Sequence, residues 1–491
     1  MEIVKDIRSA PYESMLSRRE INFSTEKEAL EIVKQFLITK KLVLYGGMAM
    51  DMAFRLKGSR LYDPADNKLE DYDFYSPNPI DDAYELADIL YKKGFPEVNA
   101  INALHVTTMR VRLGTKTVAD ISYIPLNIFK VIPTLKFKDT NGDIYTIINP
   151  IFQRIDLHES LTEPVRDAPT EVYFNRFAKD IKRFKMLDEL YPITEYLPKK
   201  HPKIKLVDTC VPSLDVLWVG YVSYAIHYKQ LTDLYESSSK IQKKFQKEYD
   251  EIISLSIYQL DDSSDIYVQM IESDSLSLYS DDFVNIRDEL LKLAKFKTTY
   301  HNTYLDRSRP RMVKLTNQNI SYEIYDNARS TKTYVDVKIG KETMRGASIQ
   351  LTLMYFLQRY FEYQNMAHLI LYHNTLNMVK LTELILLELA EGKSNKQQFL
   401  DKQMDSLTMF ICKQWYGKYN LGDSFSIQMQ YIVSNNSGTK LDPMRARSYW
   451  PEDGKKPEND IKNMEPYHID GKETKPFTPV GTGWLDEIKL Y

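Results

Sequence analysis

An α+β fold in two related lobes, each a mixed sheet flanked by helices and the second degenerate, is the architecture the sequence predicts. Three observations carry it. Short apolar runs of strand length alternate with longer amphipathic stretches through the first lobe. The order strand, glycine, helix, strand, Asp-Asp helix start and hairpin then recurs at an offset of about 200 residues. The second copy keeps the apolar pattern but not the paired glycines of the first. The predicted division is residues 1–200 for the first lobe, 201–395 for the second and 396–491 for a polar, partly irregular C-terminal segment.

The elements follow in order. Residues 1–23 read as irregular. Ser24-Thr25-Glu26-Lys27-Glu28 opens a helix with a capping-box pattern, and Leu30, Ile32, Val33, Phe36 and Leu37 give it one apolar stripe. Leu42-Val43-Leu44-Tyr45 is a short buried strand stopped by Gly46-Gly47, after which Met48 to Lys57 is helical. Glu70 to Tyr75 is the next strand, and its alternation puts Asp71 and Asp73 on one face and Tyr72 and Phe74 on the other. Asp81 to Lys93 forms a helix closed by Gly94. Leu104 to Leu113 alternates like a strand, Gly114-Thr115 turns it, and Thr117 to Ile124 returns with a single acid, Asp120. Ile144 to Ile151 is a further strand, Gln153 to Glu159 starts a helix, and Asn175 to Leu190 is amphipathic with Phe177, Ile181, Phe184 and Leu187 inward.

Two carboxylates on one strand face repel each other unless a cation sits between them. Mg²⁺ suits the place, being hard, oxygen-seeking and usually held by one or two carboxylates with substrate phosphates. Gly46-Gly47 lets the backbone approach a phosphate, and the helix N-terminus that follows attracts its charge. Such a pair calls for a third carboxylate on a neighbouring strand to complete a two-metal site. Asp120 fits, because an acid in apolar company is costly to bury without a partner. A hydrogen-bonded structural role is the competing reading for Asp120, and a plain tight turn for the glycines.

Gly46-Gly47, Asp71-x-Asp73 and Asp120 together resemble the polymerase-β-type nucleotidyltransferase superfamily. Leu44-Tyr45-Gly46-Gly47-Met48-Ala49 and Asp71-Tyr72-Asp73-Phe74-Tyr75-Ser76 are most similar to the poly(A) polymerase catalytic subunits of large cytoplasmic DNA viruses. The resemblance implies two nucleotidyltransferase-like lobes and AMP transfer from ATP to RNA 3′ ends. It implies two Mg²⁺ or Mn²⁺ ions on Asp71, Asp73 and Asp120, and a triphosphate at Gly46, Gly47 and Met48. A nucleotidyltransferase also needs positive charge for the β- and γ-phosphates, and the basic flank Lys179, Lys182 and Arg183 is the candidate. Homodimerisation or a separate processivity factor is a further implication. A terminal uridylyltransferase, or transfer to a small molecule or protein, would use the same acids.

Composition bounds the rest. With 491 residues, 43% hydrophobic and 12% aromatic, the chain can build sizeable cores. Its net charge of −3 argues against passive coating of RNA. Cys210 and Cys412 are the only cysteines, which excludes a disulfide framework or cysteine zinc site and points to a reducing compartment. Met1 to Asp6 lacks the apolar core of a secretory signal and no apolar run approaches bilayer length, so a soluble cytoplasmic protein without membrane contact is expected.

In the second copy, Leu214 to Gly220 and Tyr221 to Ile226 echo Leu42 to Phe54, Asp281-Asp282 echoes Asp81-Asp82, and Met312 to Tyr325 echoes the hairpin ending at Asp120. A helical stretch, Gly346 to Leu389, follows. Tyr221 after the single Gly220 should obstruct a triphosphate. Glu272 and Asp274, or no acids, take the places of Asp71 and Asp73, and a second working site on Glu272, Asp274 and Glu323 is the competing reading. Arg307, Arg309 and Arg311, interleaved with Tyr300 and Tyr304, are the RNA-binding candidates.

Overall fold

The structure, a computed structural model, describes residues 23–63, 71–103, 108–124, 126–162, 170–199, 205–255, 266–272, 274–280, 282–302, 311–326, 332–339, 342–363, 365–391, 393–395, 413–415, 448–456, 468–469, 472–473 and 475–476. The expected strand starts at Glu70 and Leu104, and the candidates Arg307 and Arg309, lie outside these residues. The chain divides into two compact units, Met1–Gln153 with Gln430–Glu465 and Arg154–Met429 with Pro466–Tyr491. The helix ending at Leu190 therefore groups with the second unit.

The first unit runs α1 (Phe23–Lys40), β1 (Val43–Tyr45), α2 (Gly46–Leu56), β2 (Tyr72–Ser76), α3 (Pro79–Lys92), β3 (Val98–Asn102), β4 (Thr108–Leu113), β5 (Lys116–Tyr123), a single turn α4 (Leu126–Phe129), β6 (Thr134–Lys138) and β7 (Ile144–Ile148), with α5 (Pro150–Thr162) opening at its end. Its strands form one mixed sheet in the order β3-β4-β5-β2-β1-β7-β6, extended beside β3 by Ser448–Tyr449. Leu44, Phe74, Ile121 and Met109 align across four strands and are fully buried. Phe36 of α1 meets Phe74 from that side, with ring centroids 6.5 Å apart. Each such side chain contributes about 1.5–3 kcal/mol on burial. A one-residue slip of β2 would turn Phe74 out and Asp73 in, so packing on one face sets the register of the acids on the other. Where β2 turns into α3, the Asn78 amide donates to Ser76 Oγ at 2.8 Å, and Ser76 and Lys40 both donate to Asp82.

The second unit contains α6 (Thr170–Leu190), β8 (Leu206–Val211), β9 (Leu217–Val219), α7 (Tyr221–Glu236), α8 (Ser239–Leu255), β10 (Ile266–Ile271), β11 (Leu276–Ser280), α9 (Phe283–Leu293), β12 (Lys297–Asn302), β13 (Arg311–Thr316), β14 (Ser321–Asp326), β15 (Lys332–Ile339), β16 (Glu342–Ala347), α10 (Ile349–Tyr363) and α11 (Met366–Ala390). Its larger sheet runs β12-β13-β14-β11-β9-β16-β15, with Lys475–Pro476 added beside β12 and Lys413–Trp415 beside β15. Strand for strand this repeats β3-β4-β5-β2-β1-β7-β6, including the parallel β11–β14 pair that matches β2–β5. The expected second mixed sheet with a helix after Gly220 is present. The stretch expected to be helical from Gly346 instead completes β16 and turns helical at Ile349, because Gly346 pairs with Trp218 of β9. No helix of the described residues is long and apolar enough to cross a membrane.

Candidate metal and nucleotide site

Strand register gathers the acids. Asp73 is paired with Tyr45 at the end of β1 and with Asp120 in β5, and Asp71 immediately precedes β2. Carboxylate oxygens of Asp71, Asp73 and Asp120 lie within 4.8 Å of one another, the one such group of three acids, histidines or cysteines among the described residues. Directly paired residues share a sheet face. Tyr45, Asp73, Asp120 and Arg110 therefore form one row across β1, β2, β5 and β4. The next row is tied to it: the Tyr45 ring stacks on Tyr75 at 4.2 Å, and Ser122 Oγ lies 2.7 Å from both Tyr45 Oη and Thr108 Oγ1.

Arg110 is the residue sequence reasoning passed over. Its Nε donates to Asp120 Oδ1 at 2.8 Å and its Nη2 to Oδ2 at 2.6 Å. The Asp120 hydrogen bonds raise the Arg110 guanidinium above its ordinary value, with help from Asp71 and Asp73. The signal was available, since a hairpin turning at Gly114-Thr115 sets Arg110 opposite Asp120. Arg112 lies two residues along the same face of β4, and burial, then the charge of Arg110, pushes it below its ordinary value.

Gly46 shows why the turn needs glycine. Its φ is +73°, and a Cβ added there would collide with Asp73 Oδ2 and stand 3.0 Å from the Asp73 Cβ. Gln153 donates through Nε2 to the Gly46 carbonyl at 2.5 Å. Helix α2 begins at Gly46 itself, earlier than expected, and the Tyr45 side chain at its N-cap does not cap the helix amides. No acid occupies its first turn. The first amides of α2 and its positive end thus offer themselves to an anion.

These residues suit a divalent cation. All donors are hard carboxylate oxygens, and two unit charges 4.8 Å apart repel by about 3 kcal/mol at an effective dielectric of about 20. Arg110 offsets one of the three. Gly46→Ala is expected to destabilise the chain by about 1–2 kcal/mol through its left-handed φ and to displace Asp73. In a thermal-shift titration with Mn²⁺ the variant should lose most of the ion-induced rise; an undiminished rise would show that Asp73 keeps its place.

The other predicted residues are placed as follows. Gly47 is buried and Met48 half-buried, both in the first turn of α2. Lys179 and Lys182 are exposed on α6 in the second unit, and Arg183 there donates to Asp180 Oδ1 at 3.2 Å. Arg311 starts β13 in that unit.

Residues 31–167, which hold the glycine turn and all three acids, match the poly(A) polymerase catalytic subunit family. An African swine fever virus protein (isolate Tick/Malawi/Lil 20-1/1983) named as such a subunit is 42% identical over 229 residues, 47% of this chain and 46% of that one. An Acanthamoeba polyphaga mimivirus protein so named is 30% identical over 174 residues, 35% of this chain and 28% of that one. The chain thus spans about half the length of the swine fever virus relatives it matches. The crystal structure of the Megavirus polyadenylate synthase has the same fold, with a TM-score of 0.57 and 17% identity over 94% of this chain and 87% of that one.

The second lobe repeats the register of the first but keeps an acid at only one of the three places. Val219 and Glu323 flank Ser277 as Tyr45 and Asp120 flank Asp73, and Lys314 pairs with Glu323 as Arg110 does with Asp120. Ser277 and Ser275 thus hold the places of Asp73 and Asp71. Of the two expectations for those places, Glu272 with Asp274 or no acids, the register agrees with the second. Glu272 is exposed beside Lys205 at 2.5 Å, and Asp274 bonds His368 at 2.7 Å and Tyr221. Sequence spacing missed the shift because serines carry no charge signature. Gly220 repeats the left-handed turn at φ +70°, and a Cβ there would strike the ring of Tyr355. Arg359, 1% exposed, donates through Nη2 to Glu323 Oε2 and to Ser277 Oγ at 3.2 Å. A guanidinium therefore bridges the positions that face each other as acids in the first lobe. Burial alone would push Glu323 up, but the charges of Arg359 and Lys314 hold it far below the usual carboxylate range.

Proposed function

We propose that the protein is a template-independent poly(A) polymerase, adding AMP from ATP to RNA 3′ ends in mRNA 3′ processing by a two-metal mechanism. The observation that carries this is the meeting of Asp71, Asp73 and Asp120 beside the uncapped start of α2, within the region that matches the catalytic-subunit family. The first lobe would be catalytic and the second non-catalytic. The setting would be a host cytoplasm or a virion, and a homodimer or a processivity factor would complete the assembly.

Asp71, Asp73 and Asp120 would hold two Mg²⁺ or Mn²⁺ ions. Bound there, the ions supply Lewis acidity to the attacking 3′ hydroxyl and neutralise charge on the triphosphate. The chain's own contribution is positioning and preorganised charge. Arg110 fixes both oxygens of Asp120, so the carboxylate nearest the acceptor side does not rotate. Asp73 is confined by Gly46, where nothing larger than hydrogen fits. Gly46, Gly47 and Met48 present the amides of α2 to the triphosphate, and Lys179, Lys182 and Arg183 are candidates for its outer phosphates. Arg311, with Arg307 and Arg309, is a candidate for RNA.

The test is an extension assay with purified protein, Mg²⁺ or Mn²⁺, a short RNA primer and each NTP in turn. Extension with ATP in clear preference is expected. Preference for UTP would make the protein a terminal uridylyltransferase. Nucleotide transfer to a small molecule or protein, with RNA untouched, would move it to another branch of the superfamily.

A further inference from the structure

We propose that Arg112 is an RNA-binding residue that holds a backbone phosphate of the primer near its 3′ end. This deepens the poly(A) polymerase reading and rests on it. Across the sheet, the row of polar residues runs from β1, with Gly46 at its end, through Asp73 on β2 and Asp120 on β5 to Arg110 on β4. Phosphoryl transfer is in line, with attacking and leaving oxygens on opposite sides of the phosphorus. A triphosphate seated at the start of α2 occupies the β1 side. The acceptor strand must then reach the acids from the β5 and β4 side. Neighbouring strands are about 4.8 Å apart and residues two apart on a strand about 6.6 Å, so Arg112 stands one strand and one side-chain step beyond Asp120, where the primer backbone arrives.

The two arginines on β4 differ in what they face. Arg110 gives Asp120 two hydrogen bonds. Arg112 has its Nε buried with no partner among the described residues, and the charges that act on it are those of Arg110 and Asp120. A structural arginine would have a carboxylate of its own to offset the loss of water. Among the described residues no carboxylate fills that place, and a phosphate diester accepts two guanidinium hydrogen bonds at once. The β4–β5 register also shifts between Val111 and Arg112, an irregularity that re-aims a side chain beside a site.

The experiment measures fluorescence anisotropy of a labelled oligoadenylate with the full chain, in Mg²⁺, across a KCl series, and separately ATP binding and both KM values. Arg112→Gln should weaken oligoadenylate binding about tenfold at low salt and lower the salt slope by about one. Its KM for ATP should not change. Arg112→Lys should keep the slope and still lose affinity, because an ammonium cannot make the paired contact. Wild-type oligoadenylate binding by Arg112→Gln overturns the proposal, as does a loss confined to ATP. Where Arg112→Gln does not fold, Arg112→Lys decides, and unchanged affinity for RNA overturns it. A wild-type chain that extends no RNA with any nucleotide overturns the polymerase reading itself, seen before any variant is compared.

Discussion

Asp73→Ala should abolish nucleotide transfer, lowering the rate by at least about 10³-fold. Asp73 stands in the middle of the acid row, paired with Tyr45 on one side and Asp120 on the other, so its removal takes the carboxylate both ions would share. The same change should leave the ion-free chain as stable as wild type or more so, because three carboxylates within 4.8 Å lose one member. The contrast appears when ions are added. At 100 times its dissociation constant an ion stabilises the native state by about 2.7 kcal/mol, roughly 5–10 °C in melting temperature for a unit of this size. Wild type should show that rise with Mn²⁺ and the variant should not. Near-wild-type tailing by Asp73→Ala would end the assignment.

Arg359→Met should be the most destabilising single change in the second unit. It leaves Glu323, which is fully buried, with Lys314 at 3.0 Å and the neutral Tyr325 hydroxyl at 2.7 Å in place of the guanidinium. Removing one partner of a buried pair costs about 3–5 kcal/mol, enough to lower melting by roughly 10 °C. Adding Glu323→Gln to Arg359→Met should restore much of the loss, since the stranded charge goes with it. Fluorescence of Trp218, 1% exposed on β9, follows this lobe. Below its melting point Arg359→Met should still extend RNA, because the pair lies outside the unit that holds Asp71, Asp73 and Asp120. An Arg359→Met chain as stable as wild type would mean that Glu323 finds another cation, and the bridge would be incidental.

The sequence alone determined the acid site, and period-two alternation is the reason. With Phe74 needed inside, Asp73 had to face out, and a two-residue turn at Gly114-Thr115 carried Asp120 onto a strand of its own. The glycine turn was equally legible, although only the fold assigns its tightest requirement to Gly46, whose missing Cβ makes room for Asp73. The repeated sheet order was legible as the same apolar order at two places in the chain.

Tertiary structure decided what partners those residues have. Arg110 and Arg112 look alike in sequence, yet cross-strand pairing commits only the first to Asp120. The helix bearing Lys179, Lys182 and Arg183 follows the acid strands in sequence but makes its contacts in the second unit. In the second lobe, Ser275 and Ser277 stand where the first has Asp71 and Asp73, and Arg359 reaches Ser277 from a helix 82 positions further along the chain. Local patterning constrains which face a side chain takes, because alternation is a property of one strand. Which charge meets which depends on register between strands and on helices arriving from far along the chain, and those are set by packing of the whole sheet.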